Sequence, residues 1–281
     1  MDRLMTRNET TVSIPSASGR KTRMPMKGEL SATRRVVIAG ATSGLGLALA
    51  QRFIAAGWTV GATGRNAEAL AALQKSAPDH VTTMQLDVNA ADAPQRLVEL
   101  ANALGGIDIY LHCAGILLYN PDLSPDVEVS MAMTNAVGMA RMLSAAFGYF
   151  RDSHRRGRIV AISSVAGCRG LGDMPAYSAS KAFDQTYIEA LRQEADRLRL
   201  PLRMVDIRPG WTRTPLLDPE RKYVLEMPAE RAADMIFRAT LTARRTATIG
   251  LRWRLLTALE NLVPAPLWQR LHLPLWHTIH S

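Results

Sequence analysis

Cysteine and lysine are the scarce residues in this chain. Two cysteines, Cys113 and Cys168, occur in 281 residues. Two cannot build a disulfide framework, and they lack metal-ligand spacing, so a reducing, cytoplasmic setting is expected. Long apolar runs are also missing. No stretch nears the roughly 20 residues that a membrane span needs, and the first residues hold no apolar signal-peptide core. Only five lysines stand against 29 arginines, so a lysine inside a motif carries weight.

Acidic and basic residues are unevenly spread. The net charge is +9, yet residues 1–35 hold eight Lys/Arg and three Asp/Glu, residues 244–281 hold five Arg and one Glu, and the stretch between holds 21 of each sign. A neutral body with basic ends offers no continuous basic groove, and nucleic-acid binding is not expected.

Residues 1–31 are polar, without a sustained apolar period, and read as a disordered basic extension. Met24 and Met26 stand near the first apolar run, which leaves both Met1 and a start near Met24 open. From there the pattern alternates. Short apolar runs at 35–39, 59–63, 81–86, 107–112, 158–162, 202–207 and 246–249 read as strands. Helical periods fill 45–56, 67–73, 92–104, 126–150, 177–198 and 229–242. Such alternation implies an α/β domain over 32–250: a single doubly wound parallel sheet with helices on both faces. Residues 251–281 are apolar, rich in tryptophan and modestly basic. They read as a helical extension that contacts a membrane, a partner subunit or its own domain.

Gly40, Gly44 and Gly46 sit between the first strand and the first helix, with Thr42, Ser43 and Leu45 among them. Glycines let the backbone turn tightly and approach a pyrophosphate, and the helix N-terminus offers free N–H groups. An ordinary βα turn is the competing reading. The second strand ends in Thr63-Gly64-Arg65-Asn66, with no carboxylate for ribose hydroxyls. Arg65 suits a 2′-phosphate instead, with a surface arginine at the start of a helix as the competing reading, and NADP(H) is favoured over NAD(H).

Tyr177 and Lys181 are four residues apart, which places both on one helix face. An ammonium beside a phenol favours the phenolate and makes the group usable in acid–base chemistry. With six tyrosines and five lysines in the chain, about 0.1 such pairs arise by chance.

Together these residues resemble the short-chain dehydrogenase/reductase superfamily over about residues 34–250, which implies a Rossmann-like fold. The glycine loop matches, with Ala39 where threonine is more usual. The resemblance implies that Asp87 and Val88 contact adenine. It further implies that Ala114 and Gly115 approach the cofactor closely, and that Pro209, Gly210, Thr212 and Thr214 hold the nicotinamide amide. It assigns catalysis to Asn135, Ser164, Tyr177 and Lys181: Ser164 orients the substrate oxygen, Tyr177 moves the proton, Lys181 supports the phenolate and grips the ribose, and Asn135 holds a connecting water. It also implies a homodimer or homotetramer. One departure is His112-Cys113 where the family has two asparagines, which leaves a sheet-bracing bond without its usual donor.

Leu117, Leu118, Tyr119, Leu171, Met174, Trp211, Leu216, Leu217 and Tyr223 are candidate pocket walls. They suit an apolar carbonyl or alcohol as the small-molecule substrate. The competing function is a catalytically idle nucleotide-binding or scaffold protein on the same fold.

Overall fold

The first apolar run becomes β1 (Arg35–Ala39), fully buried from Val36 onward. The computed structural model describes residues 34–242 and 245–271 and the backbone of 276–278, so the polar extension at 1–31 lies outside the described residues. In chain order follow α1 (Gly44–Ala55), β2 (Thr59–Gly64), α2 (Ala67–Ser76), β3 (Val81–Gln85), α3 (Ala93–Ala103) and β4 (Ile109–His112). The second half holds α4 (Pro125–Ala132), α5 (Met139–Ser153), β5 (Gly157–Ile162), α6 (Pro175–Arg197) and β6 (Leu202–Arg208). Short strands β7 (Thr212–Arg213), β8 (Arg221–Tyr223) and β9 (Met227–Pro228) precede α7 (Ala229–Thr242) and β10 (Thr246–Thr248). The C-terminal part carries α8 (Leu251–Glu260), α9 (Ala265–Trp268) and β11 (Trp276–Thr278).

Seven strands form one parallel sheet in the order β10-β6-β5-β4-β1-β2-β3. The fold is the Rossmann-like doubly wound sheet expected from the alternation. Each face buries its own core. One gathers Val37, Tyr110 and Ile159 with α3, α5 and α6; the other gathers Ile38, Leu111 and Val205 with α1 and α7. Strand order reverses between β1 and β4, since β2 and β3 are added on one side of β1 and β4 to β10 on the other, and such a switch point leaves a crevice beyond the carboxyl ends of the strands.

Three local differences from the expected elements have physical causes. β4 begins at Ile109 rather than 107, because the Asp108 carboxylate takes the Arg35 N–H at 2.8 Å in place of a ladder bond. Helix α6 begins at Pro175, two residues earlier than expected. Proline suits the first helical turn, and the Glu128 carboxylate accepts the otherwise orphaned Ala176 N–H at 2.9 Å. The helix expected over 126–150 opens into one π-helical turn, Met133–Gly138, between α4 and α5. Asn135 lies inside that turn.

Candidate active site

The carboxyl ends of β1, β2, β4, β5 and β6 surround one cavity of about 370 Å³. Every nucleotide-loop residue singled out in the sequence lines it: Gly40, Thr42, Ser43, Gly44, Leu45 and Gly46. The loop is packed backbone to backbone. A Cβ on Gly46 would lie 2.0 Å from the Gly40 carbonyl oxygen, and one on Gly40 (φ +85°) would lie 2.7 Å from the Ala114 nitrogen. Ser43 is extended at the head of α1 and caps nothing, so the first N–H groups of α1 have no side-chain partner there. In shape and in available N–H donors this loop suits an anion.

Arg65, Asp87, Val88, Ala114, Gly115, Pro209, Gly210, Thr212 and Thr214 line the same cavity. Arg65 stands at its edge, where β2 ends; its carbonyl is held by Gln85 Nε2 at 2.9 Å and its head is exposed.

Ser164, Tyr177 and Lys181 complete the lining, and all three are buried. Ser164 follows β5 and caps a short 3₁₀ turn, its Oγ accepting the Ala166 N–H at 3.1 Å. Among the described residues its own hydroxyl reaches only the Pro209 carbonyl, at 3.5 Å, which leaves that proton available for a better acceptor. Gln185 Nε2 holds the Ser164 carbonyl at 2.8 Å. Tyr177 sits in the first turn of α6 against Met131, Ala166 and Met174. The Lys181 ammonium lies one turn later, 5.9 Å from the centre of the tyrosine ring.

Asn135 does not line the cavity; it stands behind it. Its Oδ1 accepts the Ile116 N–H at 2.8 Å, and its Nδ2 donates to the Ile116 carbonyl at 2.8 Å and to Ser180 Oγ at 3.3 Å. The π turn brings this amide level with the loop after β4, and π turns commonly serve sites in this way. Asn135 thereby fixes the strand-end loop that carries Ala114 and Gly115.

Behind Lys181 lies a charge without a signal in the sequence. Its Nζ donates to Asp184 Oδ2 at 3.0 Å and to the Ile162 carbonyl at 3.2 Å. The Asp184 carboxylate is fully buried, and its Oδ1 has no partner among the described residues. The two partners respond differently. Burial alone would lower the Lys181 pKa, but the charges of Asp184 and Tyr177 outweigh it and the ammonium is held above its usual value. Burial raises Asp184 to about 6, with Lys181 opposing and Asp206 adding to the rise.

The His112-Cys113 departure is also resolved. His112 Nδ1 pairs with the Tyr110 hydroxyl at 2.9 Å, and the ring is buried. Burial, and then the Lys181 charge, push His112 down to about 3, so it is neutral. Cys113 is half-buried and lines the cavity, and burial pushes its thiol up to about 12, which disfavours the thiolate.

Of the expected substrate walls, Leu117, Leu171, Trp211, Leu216 and Leu217 line the cavity. Leu118 and Tyr119 instead face solvent, Met174 packs behind Tyr177, and Tyr223 supports Trp211 from outside with ring centres 4.7 Å apart. Ile116, Arg169, Trp253 and Glu260 line the cavity without having been expected there. Trp253 brings α8 onto the body: its ring covers Gly210, where a Cβ would lie 2.1 Å from Nε1, and that N–H donates to the Leu225 carbonyl at 3.2 Å. Arg169 caps the C-terminal end of α8 through the carbonyls of Glu260, Asn261 and Val263. Among the described residues no group of His, Cys, Asp and Glu is arranged to hold a metal, and no helix is long and apolar enough to cross a membrane.

The short chain dehydrogenase family model matches residues 34–224. This chain belongs to the short-chain dehydrogenase/reductase superfamily. An uncharacterized oxidoreductase of Myxococcus xanthus is 33% identical over 244 residues, 84% of this chain and 94% of the relative. An NADP-dependent 3-hydroxy acid dehydrogenase of Salmonella typhi is 34% identical over 179 residues, 62% of this chain and 71% of the relative. Among solved structures, serine dehydrogenase from Escherichia coli superposes with a TM-score of 0.67 at 27% identity, covering 76% of this chain and 96% of its own. Membership in the short-chain dehydrogenase/reductase superfamily makes the protein an NAD(P)-dependent oxidoreductase.

Proposed function

We propose that this short-chain dehydrogenase/reductase uses NADP(H) to interconvert the carbonyl and secondary alcohol of an apolar small molecule, with Tyr177 as the acid–base. One observation carries the reading: Ser164, Tyr177 and Lys181 line the same cavity as the glycine loop. When bound, NADPH supplies the hydride to the carbonyl carbon. Ser164 Oγ and the Tyr177 hydroxyl hold the substrate oxygen. As negative charge grows there, the phenol O–H releases its proton to it, and the Lys181 ammonium stabilises the phenolate left behind. In the oxidative direction the same phenolate takes the alcohol proton. Asn135 holds the Ile116 loop and, through Ser180, the turn of α6 that carries Tyr177.

The preference for NADP(H) is supported by Arg65 at the cavity edge, by the missing carboxylate at the end of β2, and by the NADP dependence named for the Salmonella typhi relative. An apolar substrate is supported by Ile116, Leu117, Leu171, Trp211 and Leu217 around the cavity. Assembly as a homodimer or homotetramer is supported by exposed Val129, Met133 and Val137, spaced one helical turn apart, and by Phe183 stacked on Tyr187. A cytoplasmic setting, with both cysteines free, belongs to this reading.

The test is a spectrophotometric screen of NADPH and NADH oxidation against aliphatic and aromatic ketones. The Tyr177→Phe variant should lose turnover by about 10²–10⁴-fold with cofactor affinity nearly unchanged. Retained turnover in that variant removes the phenol from the mechanism. The idle scaffold reading would hold if the protein bound NADPH and reduced nothing in the panel.

A further inference from the structure

Helix α8 presents two faces that meet opposite surroundings. At about 100° per residue, Trp253 and Thr257 point toward the body, where both are buried. On the opposite side Leu251, Leu255 and Leu259 align in one ridge, and they are 69%, 59% and 61% exposed. Leu262, just past the helix, is 78% exposed. Arg252 and Arg254 are also exposed, and the same angular step places them on either side of the leucine ridge. No acidic residue shares that face. Glu260, the one acid in residues 244–281, is half-buried and lines the cavity, its carbonyl taken by Arg169.

This pattern selects a partner. Among the described residues the body does not cover this face, because the Trp253 side is the one seated there. A second copy packed face to face would bring arginines of like charge into one contact with no carboxylate to receive them. A bilayer surface carrying anionic phosphates accepts both parts. Leucines enter the acyl boundary while the flanking guanidinium groups reach up to phosphate. Leu267 and Leu271, both exposed, and Arg270 extend the same composition beyond α8. We propose that the leucine ridge of α8, with Arg252 and Arg254 at its flanks, seats the protein peripherally on an anionic lipid bilayer. The same helix contributes Trp253 and Glu260 to the cavity wall, so docking sets that wall beside the lipid. Delivery of a lipid-dissolved carbonyl substrate through this arrangement rests on the function proposed above; the docking itself does not.

The experiment is flotation of the full chain with phosphatidylcholine–phosphatidylglycerol vesicles and with phosphatidylcholine vesicles, read by protein in the lipid fraction. It needs no turnover, so it stands or falls apart from the redox reading. The full chain should rise with the anionic vesicles, and added salt should release it. Leu255→Glu/Leu259→Glu changes only exposed side chains and should lower the bound fraction by about tenfold or more. Arg252→Glu/Arg254→Glu should lower it as well, which guards against a folding defect in the first variant; melting curves and NADPH binding check both. Three results overturn the proposal. The full chain stays with neither vesicle. The variants float as the parent does, which assigns flotation to the basic residues 1–35. Or light scattering finds that the leucine variant breaks an oligomer that does not float, which makes the ridge a contact between copies.

Discussion

Replacing Asp184 by Asn tests the electrostatics behind Lys181. In the folded protein the carboxylate is fully buried, 3.0 Å from the Lys181 ammonium, with one oxygen unpartnered among the described residues. Its pKa rises from 3.8 to about 6, chiefly through burial. The sign follows by linkage. A carboxyl raised in the folded state is easier to keep folded when protonated. Its contribution is fully present below pH 3.8 and is lost as pH rises through about 6. At about 1.4 kcal/mol per pK unit, the shift amounts to on the order of 3 kcal/mol of stability surrendered across that window. Asn has the same shape without the charge. The difference in stability between Asp184→Asn and the parent should therefore move in favour of the variant by up to ~3 kcal/mol between about pH 4 and pH 7.5. Whatever constant offset the substitution brings cancels in that slope, as does the titration of His112, which both proteins share. The assay is urea denaturation at a series of pH values, with the unfolding free energy of each protein plotted against pH. Parallel curves would refute the burial argument. A variant that loses ground as pH rises would show instead that the Lys181 ion pair outweighs the desolvation of the carboxylate.

Further expectations concern other parts of the site. His112 is buried neutral, its pKa lowered from 6.5 to about 3, so its share of stability is present above 6.5 and is lost as pH falls toward 3. His112→Asn should flatten the acid side of the stability profile, measured by thermal melting. Arg65→Ala should weaken NADPH binding by about tenfold or more while leaving NADH binding nearly unchanged; equal losses for the two cofactors would remove Arg65 from 2′-phosphate recognition. Gly210→Ala puts a methyl group 2.1 Å from Trp253 Nε1. It should cost about 1–3 kcal/mol through overpacking, and Trp253→Ala in the same chain should recover part of that loss. Additive losses in that double variant would show that the two positions do not press on each other.

Much of the fold was legible because the sheet is buried on both faces. Runs such as Val36, Val37 and Ile38 must be continuous and apolar when helices cover both sides, and the helices between them announce themselves by period. The glycine loop and the Tyr177–Lys181 pair were legible for the same local reason: a tight backbone approach demands glycine, and a one-turn separation sets two side chains on one face. The π turn was not legible. A helical period over 126–150 fits an unbroken helix equally well, and the turn accompanies Asn135 bonding Ile116, a loop residue 19 positions earlier. Asp184 was invisible for a related reason. A charged residue on a long helix reads as a solvated one, and only the packing of α6 against the β5 end shows that this carboxylate has no access to water.

Local order decided the strands, the glycine loop and the spacing of the phenol and the ammonium, since each depends on residues a few positions apart. Chain packing decided which side chains share the cavity. Trp253 reaches Gly210 from 43 positions away in the sequence, and Leu118 and Tyr119 turn outward although their neighbour Leu117 turns in. Contacts between distant segments depend on how the helices dock on the sheet, and a linear pattern of residue types does not encode that docking.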